Sequence, residues 1–426
     1  MNIFWFRRDL RIFDNTGLFN CLIERKDVQP IFIFDTNITS ELESDDPRIS
    51  FIYENLTSIH SKLLSFSSSL KIYAGDPLTI FKQILDENNV ESVYVNSDYE
   101  PYGTKRDDFI SKLLSKRNVA FKSFKDHVIF EKSEVVKKDG LPYTVFTPYK
   151  NKWLEKYQES KITVNEKLET SNFLESNHKL PKIEALGFKV STIKVPEFNI
   201  NNVPDYDLTR NIPSLDSTSK IGPHLRFGTV SIRKIVQSVK SLNSVYLSEL
   251  VWREFFIQIL HHFPKVVTEN FRSKYNSIVW NNNTKDFENW CNGKTGYPIV
   301  DAGMNELNET GFMHNRVRMV TASFLCKHLL IDWRWGEAYF AKKLLDYELA
   351  SNNGNWQWCA GTGCDSSPYF RIFNPYEQTK KFDKDLSYIN KWVNNLNSFE
   401  YPSPIVDHKW ARNRALEAYK TGLAKS

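Results

Sequence analysis

The chain has 426 residues, more than the roughly 250 to 300 that one hydrophobic core usually organises, so two domains are expected. With 41% hydrophobic and 25% charged residues it has a globular make-up, which excludes a disordered or fibrous chain, and no apolar run approaches the roughly 18 residues of a membrane span. Net charge is only +5, so any surface for nucleic acid must gather its cations locally.

Arg7, Arg8, Asp9 and Arg11 stand where a secretory signal needs an apolar core, so a cytoplasmic location is expected. From residue 1 to about 132, short apolar runs alternate with helix-period segments, the pattern of an α/β domain with a doubly wound, Rossmann-like parallel sheet. Strands are expected at 2–6, 30–34, 70–73, 92–95 and 120–124, with helices at 47–66, 77–87 and 104–116. Asp76-Pro77 is an N-cap followed by a proline at the first helical position, a strong start signal. No G-x-G-x-x-G follows any strand, which argues against a dinucleotide held in the Rossmann manner.

Residues 133–203 are rich in Lys, Ser, Asn and Glu and read as a connecting surface linker. From 204 to 426 long helical periods take over, at 245–262, 301–307, 315–330 and 336–345, so the second domain is expected to be all-α. The five cysteines make no C-x-x-C pair and no zinc-ligand spacing, which points to a reduced, metal-free protein.

Four of the 11 tryptophans, Trp333, Trp335, Trp356 and Trp358, crowd into one short stretch together with Asp346, Glu348, Asn352 and Asn353. Average packing does not need such clustering. Glu249 and Trp252 are three apart on one helical face, and Asn315, Arg318 and Met319 share another. Singly, Trp252 or Met319 is core more often than ligand contact, and His314 is a structural histidine by default. No Ser/His/Asp order and no metal spacing emerges, so any chemistry would have to be carried by a cofactor.

Longer motifs carry a resemblance. Phe4-Trp5-Phe6-Arg7-Arg8-Asp9-Leu10-Arg11, Thr218-Ser219-Lys220-Ile221-Gly222-Pro223, Gly293-Lys294-Thr295-Gly296-Tyr297-Pro298, Met313-His314-Asn315-Arg316-Val317-Arg318-Met319, Asn352-Asn353-Gly354 and Pro368-Tyr369-Phe370-Arg371 resemble the photolyase/cryptochrome family. The likeness is nearest to the class I cyclobutane pyrimidine dimer DNA photolyases. It implies an antenna domain at 1–132 and, at 204–426, a helical domain that binds FAD and the DNA lesion. A second chromophore of folate or deazaflavin type is implied as well, with no contact residues assignable.

Carried over residue by residue, Tyr206, Thr218, Ser219, Ile221 and Gly222 would hold the phosphate and ribityl part of FAD, with Arg253 nearby. Asn352 would face flavin N5, and Asp346 would pair with Arg318 beside the ring, near Glu348. Trp356, Trp333 and Trp280 would form an electron-hopping chain. Trp252 and Trp358 would be stacking walls for a flipped-out dimer, with Met319 as its floor and Asn315 and Glu249 bonding the pyrimidine edges, Glu249 in its protonated form. Arg226, Arg316, Arg371 and Lys380 would meet DNA phosphates. The family usually has Asp at 348, Ser at 222 and Trp at 312, where this chain has Glu348, Gly222 and Phe312.

The implied function is light-driven splitting of cyclobutane pyrimidine dimers by a carbon-carbon lyase, a monomer whose partner is damaged DNA, nucleoid-associated when bound. The alternative is a cryptochrome photoreceptor that signals through a protein partner. Signalling members often carry a long C-terminal tail, whereas this chain stops at Ser426 with its lesion residues intact.

Overall fold

Five parallel strands form one sheet in the order β3-β2-β1-β4-β5: β1 (Asn2–Phe6), β2 (Val28–Asp35), β3 (Lys71–Gly75), β4 (Ser92–Asn96) and β5 (Ala120–Phe124). Asn2 of β1 stands opposite Val28 on one side and Ser92 on the other. The order turns back beside β1, and Arg7 and Asn96 lie just past that switch point. The computed structural model describes residues Met1 to Lys425.

β1 is buried along its whole length, as a sheet covered on both faces requires. Alternate side chains feed two cores: Phe4 and Phe6 pack with Leu18, Leu56 and Ile59, while Ile3 and Trp5 pack with Phe81, Ile84 and Ile110. The helices Thr16–Glu24, Pro47–Leu64 and Pro77–Glu87 start under caps from Asn15, Asp46 and Asp76, whose side chains accept from Leu18, Arg48 and Thr79 amides.

The Arg7–Arg11 stretch builds a buried ionic lattice. Arg11 donates to Asp126 at 2.6 Å, and Arg233 donates to Asp126 at 2.9 Å and to Asp14 at 3.1 Å. Burial pushes the Asp126 carboxyl up, but Arg11 and Arg233 overcome it and hold the group well below the usual carboxylate range.

Two compact units divide the chain differently from the expected boundaries at 132 and 203. The first comprises Met1–Val135, Lys152–Phe198 and Ile221–Ser241; the second comprises Val136–Asn151, Asn199–Lys220 and everything from Leu242 on. The expected linker is not a loose connection. It contains the helix Phe146–Glu159, and Phe173, Ile183 and Phe188 enter the core beneath β1 and β2, where Phe173 stacks on Phe66 at 5.9 Å. Beyond that helix its apolar residues follow no long period because they are anchored one by one by tertiary contacts, Ile183 from a single helical turn.

The second unit is helical. Ser244–His262, Pro298–Thr310 and Trp333–Lys343 cover the expected periods, and Leu349–Ala360 adds a helix that polar residues had obscured. The helix expected over 315–330 ends at Ser323 and continues as a π-helical turn, Phe324–His328. Among the described residues no helix is long and apolar enough to cross a membrane.

Candidate functional site

The site residues of the second unit come from a few packed helices. Ser244–His262 carries Glu249, Trp252 and Arg253; Asn315–Ser323 carries Asn315, Arg316, Arg318 and Met319; Leu349–Ala360 carries Asn352, Trp356 and Trp358. Asn352 and Trp356 are four apart and share a face. Leu349–Ala360 packs on Ser244–His262 so closely that Gly354 meets the Phe256 ring, and on Trp333–Lys343 so closely that Gly336 meets the Trp356 ring.

Arg318 and Asp346 form a two-point ion pair, Nη1 to Oδ1 at 3.1 Å and Nη2 to Oδ2 at 3.0 Å, while Arg318 Nε donates to the Met313 carbonyl at 2.7 Å. A guanidinium held on both edges is fixed in plane and direction. Arg253 donates to Glu348 at 2.9 Å, and the Ser351 hydroxyl holds the other carboxylate oxygen at 2.9 Å. Glu348, where the resembled family usually has Asp, is thus committed to Arg253.

Asn352 is buried and fixed through its amide nitrogen, which donates to the Glu337 carboxylate at 2.9 Å and to the Glu337 carbonyl at 3.1 Å. Its Oδ1 accepts no hydrogen bond among the described residues. Burial raises the Glu337 carboxyl, and the bond from Asn352 offsets only part of that.

Tyr206 and Ser219 converge on Tyr246: the two rings meet edge-on at 5.0 Å, and the Tyr246 hydroxyl donates to Ser219 Oγ at 2.9 Å. Thr218 adjoins Ser219 in sequence, and the neighbouring Ser217 hydroxyl is buried with no partner among the described residues. Ile221 and Gly222, expected in the same set, belong to the first unit. An orphaned hydroxyl at Ser217, an open amide oxygen and fixed guanidinium groups are donors and acceptors of the kind that a phosphate-bearing, hydrogen-bonding ring cofactor takes, so these residues fit FAD.

Beside Tyr206, Glu249 is paired with Arg210 at 2.6 Å, a partner that sequence reading missed. Burial lifts the Glu249 carboxyl above its usual range, with Arg210 pulling the other way. Trp252, Trp358 and Met319 are half-buried, and Asn315 is exposed at the first turn of its helix. His314 caps that helix, Nδ1 accepting from the Arg316 amide at 3.2 Å, so its proton sits on Nε2, which is buried with no partner among the described residues. Burial and the nearby Arg318, Arg316 and Arg210 bring His314 down to about 4, which keeps it neutral at ordinary pH.

Trp356 lies between Phe340 at 5.0 Å and Trp290 at 6.1 Å; Trp333 is fully buried and donates to Asn270 Oδ1 at 2.8 Å; Trp280 is half-buried against Tyr419 at 5.9 Å. Trp335 packs edge-on against Phe287. The phosphate candidates separate. Arg371 is exposed, and Arg316 lies 4.3 Å over Phe382 and bonds Asn211 at 2.6 Å. Lys380 pairs with Glu377, and Arg226, in the first unit, pairs with Glu100 at 3.4 Å. Arg210 and Glu337 were the residues missed; the faint signals are the spacings Tyr206 to Arg210 and Trp333 to Glu337, each one helical turn.

Residues 246–400 match the family model described as the FAD binding domain of DNA photolyase, and residues 2–169 match that of DNA photolyase. The deoxyribodipyrimidine photo-lyase of Vibrio cholerae is 35% identical, over 99% of this chain and 99% of its own. Among solved structures, an archaeal photolyase from Sulfolobus tokodaii with two FAD molecules superposes at a TM-score of 0.88 and 35% identity, covering 99% of this chain and all of its own. A class III photolyase from Agrobacterium tumefaciens matches at 0.88 and 32%, covering 100% and 98%.

Proposed function

The chain belongs to the DNA photolyase family, and we propose that it is a deoxyribodipyrimidine photo-lyase, which restores cyclobutane pyrimidine dimers in DNA with light. The observation that carries this reading is the Leu349–Ala360 helix, which brings the cofactor-side residues Asn352 and Trp356 and the lesion-side residue Trp358 into one rigid element packed on the helix of Glu249 and Trp252.

Asn352, the Arg318–Asp346 pair, Arg253 with Glu348, and Tyr206, Thr218 and Ser219 would hold FAD. When bound and reduced, that cofactor supplies on illumination the electron that opens the cyclobutane ring. The rest falls to this chain. Asn352, its amide nitrogen spoken for by Glu337, keeps an acceptor oxygen toward a ring N–H. Trp252 and Trp358 offer π-faces to bases that a lesion has already unstacked, which lowers the cost of flipping them out. Glu249, with its carboxyl raised by burial, donates to a pyrimidine edge when protonated, and Asn315 bonds the edge beside it. Half-buried aromatic walls keep water from the reacting bases. No acid or base needs to move a proton for the ring to open, which accounts for the absence of a hydrolytic constellation among the site residues.

Trp356, Trp333 and Trp280 would relay electrons inward. Arg316, Arg371 and Lys380 would meet phosphates; Arg226, tied to Glu100, fits that role least. On this reading the protein acts as a monomer on DNA in the cytoplasm. Its second chromophore would be a folate, a deazaflavin or, as in the Sulfolobus relative, a flavin, distinguished by the spectrum of the extracted pigments.

Blue light on the reduced, flavin-loaded protein mixed with an oligonucleotide bearing one thymine dimer is expected to regenerate two intact thymines, with none regenerated in darkness. A dimer that survives illumination beside bound flavin would transfer the case to the photoreceptor reading.

A further inference from the structure

The ring of Phe146 lies flat on the indole of Trp252, with centroids 3.6 Å apart and planes within 8°. The two residues come from distant parts of the chain and meet inside the second unit. Phe146 opens the helix Phe146–Glu159 and is tied there by its amide, which donates to Asp365 Oδ2 at 2.9 Å. Its ring also meets Phe255 edge-on at 5.8 Å, and Tyr149, one turn further, tilts against the same Phe255 at 5.3 Å. Phe146, Tyr149 and Phe255 are all buried, whereas Trp252 is half-buried. Phe146 therefore backs the indole from the core side. Phe255 at 82° and Phe256 at 30° complete the clamp, at 5.5 and 5.4 Å.

We propose that Phe146 is a positioning residue for lesion recognition: it locks the Trp252 indole in one orientation, so that its exposed part is ready to stack on a flipped pyrimidine dimer before DNA arrives. The role rests on the photo-lyase function proposed above. An indole free to turn would have to be ordered at each binding event; one already clamped on its core side is not, and preorganisation of this kind appears as affinity. Aromatic pairs contribute beyond their buried area, least when the rings lie squarely face to face as here, so what Phe146 supplies is chiefly the flat contact that fixes the plane of the indole, which an aliphatic side chain of similar bulk fills without reproducing.

The test is dark binding of the flavin-loaded protein to oligonucleotides with and without a thymine dimer. Phe146→Leu is expected to raise Kd for the dimer roughly two- to tenfold, the factor that loss of one aromatic pair gives. Flavin content and affinity for undamaged oligonucleotide stay as in wild type, and Phe146→Tyr restores dimer affinity. In a Trp252→Ala background Phe146→Leu adds nothing, because its effect passes through the indole. Dimer affinity that is unchanged in Phe146→Leu, or tighter because the ring had blocked the face the lesion needs, overturns the role; so does an equal loss in the Trp252→Ala background. Wild-type protein that binds both oligonucleotides equally overturns the photo-lyase function itself, and this role with it.

Discussion

Glu249 is held between two forces: burial, which favours the neutral acid, and Arg210 at 2.6 Å, which favours the carboxylate. Arg210→Gln removes the second, so the carboxyl should protonate at a higher pH than in wild type. If the protonated acid bonds the lesion, the pH midpoint of dark lesion affinity moves upward in the variant; a midpoint that stays or falls contradicts the assignment. The Arg318–Asp346 pair could be anticipated because Arg318 sits in a motif that resembles a family and Asp346 is the partner that this resemblance implies. Arg210 could not, since its partner lies 39 positions away and the two meet only once the Tyr206–Thr209 turn docks near the Ser244–His262 helix. Glu337 was hidden for the same reason: an acid one turn past Trp333 looks like a solvated face until Asn352 bonds it.

Helix spacing in the second unit is set by glycines at contact points. A methyl group on Gly336 would collide with the Trp356 ring, and one on Gly354 with Phe256. Gly336→Ala should therefore cost about 1 to 3 kcal/mol of stability, as overpacking usually does, and loosen bound flavin by shifting Trp356. Thermal unfolding and flavin release check this, and wild-type values for both would show that the gap relaxes without cost. The π-helical turn Phe324–His328 buries Lys327, whose Nζ donates to the Ala360 carbonyl at 2.7 Å and lies 3.6 Å over Tyr419. Burial, opposed by Cys326 and Cys359, brings the ammonium down to about 7. Between that value and the usual lysine value near 10.4, the folded state binds fewer protons than the unfolded one, so stability rises with pH across this window. Denaturant unfolding at pH 7 and 9 should show wild type gaining stability relative to Lys327→Met; parallel pH curves would mean the amine titrates normally. β1, β2 and β4 were legible because the covered middle of a parallel sheet is buried along its whole length, and the partly exposed edge strands β3 and β5 because short apolar runs there stand between helical periods. Leu349–Ala360 was not, because Asn352, Asn353 and Gln357 turn polar groups inward to helices and backbone carbonyls rather than to water.

At the scale of the molecule, a net charge of +5 is too small to draw DNA by itself, so binding must depend on a few cations at the site. Affinity for DNA should fall linearly with salt on logarithmic axes, and Arg371→Gln should lower that slope by about one; an unchanged slope removes Arg371 from the phosphate contacts. The alternation of strands and helices, then the long helical periods, made an α/β part and an all-α part readable. The boundaries were not, because the chain passes between the units more than once and its Lys- and Asn-rich stretch supplies Phe173 and Phe188 to a core. On the proposed function, a flavin held by Asn352, Arg318 and Asp346 is the pigment whose photoexcitation splits the dimer. The wavelength dependence of dimer splitting by the purified, reduced protein tests it: repair per incident photon should follow the absorption of the bound pigments and vanish when flavin is removed, whereas splitting that proceeds without flavin, or equally well in the dark, would contradict it.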